Sequence, residues 1–459
     1  MPKRIAIRVG HFFSRHLSPA RIFVLSFAAV ILVGGVLLRF PFSAAKGYLR
    51  FVDALFTSTS AVCVTGLIVV HTGKDLSMLG QVISLILIQI GGLGIITFST
   101  VFFVIMGRGI SFKGREIVQT TFLHTPTRDF AMILRAVLAF TFISEALGTI
   151  FLFMRFSLDF PMGRAFYTAL YHAISAFNNA GFSLFSDSLI PYQGDPIVNF
   201  TIMGLIVHGG IGFIVQYEIL SKLRGSRRKL SVHTKMVIIT TATLIVSGAI
   251  LFFVFEKNHI IRDAPIGNKI LASLFQSVTP RTAGFNTVDI GNLTNATLLL
   301  MLVLMFIGAS PGSTGGGVKT TSAALLVMLM WNRLKGNLDL NIFNRTVPRE
   351  IVSRSISIIF ASAFSIAIVA SVLLIAGEGK LAPTESRHFF VEYLFDTVSA
   401  FGTVGLSMGV TPKLNDLQKY ALILMMFAGR VGPLTLAFSL SGGTGGKNII
   451  YAEEGVMVG

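Results

Sequence analysis

Cysteine is almost missing from this chain of 459 residues. Cys63 stands alone, which excludes an intramolecular disulfide and a cysteine-based metal site. Charge is scarce too: Lys, Arg, Asp and Glu make up 13% of the residues, where a soluble domain carries about 25%. Residues 23–38, 80–103, 232–255, 296–307 and 356–376 hold almost none. About 20 apolar residues, at roughly 1.5 Å each, cross a hydrocarbon layer some 30 Å thick. A soluble core has no use for several such runs. With 53% apolar residues and a mean hydropathy of +0.75, the chain is predicted to be an all-α polytopic membrane protein.

Negative charge is the rarer sign, 21 Asp+Glu against 38 Lys+Arg, for a net charge of +17. Such an excess suits nucleic acid, but its placement excludes that partner. Lys3, Arg4, Arg8 and Arg15 precede the first apolar run, and Arg108, Lys113 and Arg115 follow the second. Lys222, Arg224, Arg227, Arg228, Lys229 and Lys235 form a third basic group, and Arg333, Lys335, Arg345, Arg349 and Arg354 a fourth. Every second loop is basic, as the positive-inside bias requires. An even number of spans, both termini cytoplasmic and a multi-pass place in the cell inner membrane are expected. The basic start resembles a signal peptide, but no small-residue cleavage site follows Leu38, so residues 23–40 are read as a retained first helix.

Catalytic chemistry is missing as well. No paired carboxylates, nucleophile–base set or ligand cluster appears, so the chain is not read as an enzyme, and His172 and His208 are expected to be packing residues. Glu145, within an apolar run, is expected to be a packed or neutral carboxyl.

What the chain has instead is glycine in a pattern. SAVCVTGL, SAFNNAGF, VTPRTAGF and SAFGTVGL recur with their glycines at Gly66, Gly181, Gly284 and Gly405, spaced by 115, 103 and 121 residues. A second small-residue landmark follows each: Gly91-Gly92, Gly209-Gly210, Gly308-Ala309 and Gly429-Arg430. Two landmarks in one order, four times over, divide the chain into repeats at 1–106, 107–224, 225–331 and 332–459. Each unit reads as an apolar helix, a half-length helix of about ten residues such as 51–60 or 389–399, and a second apolar helix. A ten-residue helix is too short to span, and the extended backbone after it is tolerated at membrane depth only where it is buried in protein or lines a cavity. Four such units, eight spans with four re-entrant half-helices, predict a pore on a pseudo-fourfold axis.

A bare cation needs its hydration shell replaced, and rings of backbone carbonyls do this. Glycine permits the backbone dihedrals and the close approach. Val64, Thr65 and Gly66 are thus predicted to line an ion path with Asn179, Ala180 and Gly181, with Thr282, Ala283 and Gly284, and with Thr403, Val404 and Gly405. Packing between membrane helices is the other use of such glycines. It suits the second landmark better than the first, since packing needs neither Ser/Thr flanks nor a half-length helix. Asp53 and Glu392, each 13 residues before its glycine, are expected at the start of a half-helix, to cap it or to draw cations to the outer mouth.

SAFNNAGF, SVTPRTAGF, SAFGTVGL and IQIGGLG resemble the Ktr/Trk/HKT superfamily of potassium transporters, most closely the bacterial Ktr membrane subunit, over essentially the whole chain. The resemblance implies potassium uptake across the cell membrane. In that superfamily glycine at all four filter positions goes with K⁺ selectivity. Serine in the first repeat goes with Na⁺ transport in some plant members; here the position is Gly66. It also implies a homodimer with one pore per subunit, resting on a cytoplasmic octameric ring of RCK-type regulatory subunits that bind ATP and ADP. K⁺ is then the transported ion, Na⁺ a coupling or activating ion, and no cofactor belongs to this chain. A sodium-preferring member and the potassium-conducting subunit of a P-type ATPase are the alternatives; the latter has more spans than fit here.

The third repeat departs from the others. Gly308, Ala309, Ser310, Pro311, Gly312, Ser313, Thr314, Gly315, Gly316 and Gly317 interrupt what would otherwise be one helix from 294 to 331, because five glycines and a proline cannot hold a helix. The segment resembles the intramembrane gating loop of the Ktr family. It is no phosphate loop, since Val318 separates Gly317 from Lys319-Thr320, and Gly442 to Lys447 lacks the hydroxyl after the lysine. Arg430, expected in the middle of an apolar helix, needs a cavity or partners. An electrostatic barrier beneath the filter and a structural tie to helix-end carbonyls are its two readings.

Overall fold

Uncharged runs fold as helices because a helix satisfies its own backbone, leaving only side chains to meet the surroundings. The computed structural model describes residues 19–106, 130–227, 229–337, 339–378 and 383–440. The basic residues at 3–15 and 108–115, Arg228, and the glycine run at 442–447 lie outside them. Four sets of helices follow one another: α1 (Pro19–Arg39), α2 (Phe51–Val62) and α3 (Met78–Met106), then α4 (Phe130–Phe156), α5 (Met162–Phe177), α6 (Pro196–Gly210) and α7 (Phe213–Leu223). Next come α8 (Val232–Glu256), α9 (Ile266–Val278), α10 (Asn295–Phe306) and α11 (Thr320–Leu334). A two-residue hairpin, β1 (Asn341–Ile342) with β2 (Arg345–Thr346), leads to α12 (Arg349–Glu378), α13 (Pro383–Gly402), α14 (Asp416–Val431) and α15 (Pro433–Leu440).

Among the described residues four helices are long and apolar enough to cross a membrane: those at Arg21–Arg39, Arg135–Phe156, Val232–Glu256 and Arg349–Gly377. Their outer faces expose Phe142, Ile143, Phe360, Phe364 and Ile375, while Thr57, Ser58, Thr59 and Ser60 on α2 are buried. Apolar outside and polar inside is the pattern of a multi-pass membrane protein.

The run at 296–307 forms the 12-residue α10, which ends where the glycine segment begins. Two sequence expectations fail. The helix before Gly405 has 20 residues rather than about ten, so Glu392 sits in its middle and not at its start. Arg430 lies in the last turn of α14, because Gly432, at φ 91°, and Pro433 end that helix. A comparable break separates α6 from α7, which are bent by 102° at Gly212, φ 93°.

The third helix of each set packs against the second helix of the next: α3 on α5, α6 on α9, α10 on α13, and α14 back on α2. The chain therefore closes on itself. At the closing seam, where no peptide link exists, the Lys419 ammonium donates to the Asp53 carboxylate at 2.7 Å, and Arg50 bridges Asp53 (2.8 Å) and Asp416 (3.3 Å). Asp53 is thus an ion-pair hub, neither a helix cap nor a free charge at a mouth.

Candidate functional site: a ring of four glycines

All four helices that lead to a repeat glycine end just before it, α2 at Val62, α5 at Phe177, α9 at Val278 and α13 at Gly402. Their carbonyl ends, each carrying about half a negative charge, therefore converge on one place. The backbone then turns in the same way four times. The residue two before each glycine is left-handed, Val64 at φ 57°, Asn179 at 59°, Thr282 at 71° and Thr403 at 49°, and so are Gly66, Gly181, Gly284 and Gly405 at 94°, 69°, 74° and 92°. A non-glycine residue held there costs about 1–3 kcal/mol and persists only where its surroundings enforce it. Four copies at one register mark a built site.

Each glycine faces the carbonyl of the neighbouring repeat. A Cβ on Gly66 would stand 2.6 Å from the Ala180 oxygen, on Gly181 2.8 Å from that of Ala283, and on Gly284 2.5 Å from that of Val404. On Gly405 it would strike the Thr65 oxygen. The order 66, 181, 284, 405 and back to 66 closes a ring that no side chain can enter. Its carbonyls, from the residue before each glycine, offer neutral oxygen donors to a dehydrated monovalent cation.

Behind the ring the repeats differ. Gly66 N donates to Ser60 Oγ, and Gly405 N to Ser399 Oγ, both at 3.0 Å. Three residues before their glycines, the second and third repeats turn polar groups outward. Asn178 Nδ2 donates to Gln89 Oε1 (2.9 Å) and to Glu145 Oε1 (3.0 Å), so Glu145 is a packed carboxyl bracing α5. Arg281, buried, donates from Nη2 to Thr241 Oγ1 at 3.2 Å, and its Nε meets no protein acceptor. The second landmark is packing: Gly91, Gly209 and Gly429 lie against the carbonyls of Val62, Phe177 and Phe401, where any side chain would collide.

Beneath the ring lies the glycine segment between α10 and α11. Gly316 N donates to Thr403 Oγ1 at 3.0 Å, Gly315 lies against Thr282 Oγ1, and Thr314 Oγ1 donates to the Phe177 carbonyl at 3.3 Å. Its other amides find helix-end carbonyls: Ser310 N donates to Gly210 O (3.0 Å), Thr314 N to Gly209 O (3.2 Å) and Gly317 N to Gly429 O (3.3 Å). Non-helical backbone is tolerated here because these partners replace water. Gly308 N donates to Val318 O at 2.9 Å, Ser313 Oγ to Ser310 O at 2.6 Å, and Phe213 N to Gly312 O at 3.0 Å, while Pro311 lies against Gly212. Two cations grip the segment. Arg430 donates to the carbonyls of Thr314, Gly91 and Gly92, and Lys319 Nζ donates to Gly315 O at 2.8 Å. Lys319 was invisible as a loop anchor in the sequence, where it reads as a failed phosphate-loop lysine.

Residues 27–441 match the family described as TrkH, cation transport protein. The chain belongs to this family. It is 38% identical to the Ktr system potassium uptake protein B of Vibrio alginolyticus, over 96% of this chain and 94% of that one. The Ktr system potassium uptake protein B of Bacillus subtilis is also 38% identical, over 96% and 97%. The potassium/sodium uptake protein NtpJ of Enterococcus hirae is 36% identical over 97% and 98%. Among solved structures, the potassium transporter TrkH from Vibrio parahaemolyticus shares the fold, with a TM-score of 0.68 at 21% identity over 91% of this chain and 83% of that one. The TrkH family is one of cation transporters and not of enzymes.

The three residues named from each repeat fall together at the ring, and the 308–317 segment and Arg430 fall beneath it. The left-handed residue two before each glycine escaped sequence reasoning, since Val, Asn and Thr share no signal for that conformation.

Proposed function

We propose that this chain takes up potassium through a pore whose selectivity filter is the glycine ring, with four re-entrant half-helices around one axis and eight spans in total. The observation that carries the reading is the closure of the ring, in which each glycine faces the next repeat's carbonyl. The names of the Vibrio and Bacillus relatives support potassium as the ion, and their Ktr system supports a membrane component working with other subunits. The finer assembly is a homodimer on an RCK-type nucleotide-binding ring, in the inner membrane, with both termini cytoplasmic and Na⁺ as an activating ion. The 308–317 segment with Arg430 serves as the gate. Expression with a regulatory subunit in a host lacking potassium uptake should restore growth at low K⁺ and give Rb⁺ uptake. A folded, membrane-inserted protein that moves neither ion would sink the reading. Sodium preference is the second reading, favoured by the name of the Enterococcus relative; Na⁺ uptake exceeding Rb⁺ uptake at equal concentrations would replace the first.

A further inference from the structure

Outside the ring, the chain leaving each glycine must be held against its own short helix, and the four repeats do this differently. Nine residues before the glycine stand Thr57, His172, Phe275 and Asp396; two residues after it stand Ile68, Ser183, Asn286 and Ser407. In the second repeat His172 and Ser183 meet, Nε2 to Oγ at 2.9 Å. In the fourth, Ser407 Oγ donates to Asp396 Oδ2 at 3.2 Å, and Thr411 Oγ1 donates to the same oxygen at 2.5 Å. The first and third repeats have no polar pair at these positions. The glycine order puts the second and fourth repeats on opposite sides of the ring.

The two clasps share their chemistry. Thr168 O can only accept, so the His172 Nδ1 at 2.8 Å from it holds the ring proton. A neutral imidazole then offers Nε2 as an acceptor, and the Ser183 hydroxyl donates, as Ser407 does to Asp396. Each serine also accepts from the amide two residues on, Phe185 N to Ser183 Oγ and Gly409 N to Ser407 Oγ, both at 3.0 Å. One hydroxyl therefore fixes the exit strand to itself and to the short helix. His172 and Asp396 are both fully buried, and Asp396 Oδ1 meets no protein donor.

We propose that His172 and Asp396 are positioning residues for ion discrimination: acting through Ser183 and Ser407, they brace the outer side of the ring from two opposite quadrants. Neither touches the ion. The inference rests on the reading of the ring as the filter. A carbonyl ring discriminates between ions of different size by the number and field of its oxygens, so loosening two of its four walls admits the smaller ion.

Na⁺ competition against Rb⁺ uptake tests this in whole cells, with membrane yield and melting in detergent recorded for each variant. Asp396→Leu should lower K⁺ over Na⁺ discrimination by about tenfold, and Asp396→Asn, which keeps an acceptor for both hydroxyls, should recover most of it. Ser407→Ala and Ser183→Ala, too mild to unfold the protein, should each lower discrimination several-fold. Adding Ser407→Ala to Asp396→Leu should cost less than Ser407→Ala alone, because the link between exit strand and helix is already gone and only the Gly409 contact remains to be lost. Wild-type discrimination in the two serine variants would overturn the proposal. Gly405→Ser separates it from the underlying reading: if that variant discriminates normally, the filter assignment fails, and if it alone loses discrimination, only the clasps do.

Discussion

A single added carbon is the smallest change the ring registers. Gly66 lacks the 0.4 Å or more that a Cβ would need against the Ala180 carbonyl, since real Cβ atoms do not approach within 3.0 Å. Gly66→Ser must therefore push the neighbouring wall outward, and K⁺ over Na⁺ discrimination should fall by about tenfold, some 1.4 kcal/mol. Rb⁺ uptake under Na⁺ competition measures it; unchanged discrimination removes Gly66 from the filter. Arg430 acts at the same scale. Its guanidinium ties the Thr314 carbonyl to those of Gly91 and Gly92, and the proposed barrier rests on the same contacts. A unit charge at 4 Å from a passing cation opposes it by about 4 kcal/mol at an effective dielectric of 20. Arg430→Ala should speed Rb⁺ entry and Arg430→Lys should keep much of the barrier. Loss of yield and melting temperature in both variants would instead make the residue a structural tie alone.

At the level of the element, the interrupted third-repeat helix is the part most open to test. The segment between α10 and α11 occupies the space under Thr282 and Thr403, held by Lys319 and by carbonyls of α6 and α14. Deleting residues 310–315 removes the proposed obstruction together with the Ser310, Thr314 and Gly315 contacts that hold it. Maximal uptake should rise, about tenfold for each 1.4 kcal/mol of barrier lost, with little change in apparent affinity, because the ring above is untouched. Wild-type uptake from a folded variant would reduce the segment to a tolerated helix break. The breaks at Gly212 and Gly432 follow the same logic. Gly432 precedes proline, a local stop that the sequence reading passed over when it put Arg430 in mid-helix, whereas at Gly212 the bend is accompanied by Phe213 N donating to Gly312 O, a contact with residues about a hundred positions away.

For the whole molecule, the junction most open to test is the seam between α14 and α2, the one between successive sets that no chain crosses. Lys419 is 4% exposed at its side chain and meets Asp53 across that seam. Removing one partner of a buried pair costs about 3–5 kcal/mol, while replacing both by apolar groups is often near neutral. Lys419→Met should therefore lower the melting temperature in detergent clearly, and Asp53→Leu with Lys419→Met should recover much of it. A double variant no more stable than the single one would show that the pair does not hold the seam.

The sequence by itself determined the class, the four glycines and the place of the interrupted helix, since apolar run length, glycine spacing and proline content are local properties. It also named the four glycines and the residues before them whose carbonyls face the neighbouring repeats. The length of α13, the bend at Gly212 and the partners of Asp53, Asn178, Lys319 and Arg430 were decided by tertiary structure. Each depends on which carbonyl or carboxylate stands opposite, and those partners come from other repeats. Asp53 is the clearest case: beside its own helix it reads as a cap, and only the return of α14 to α2 supplies the lysine that makes it an ion pair.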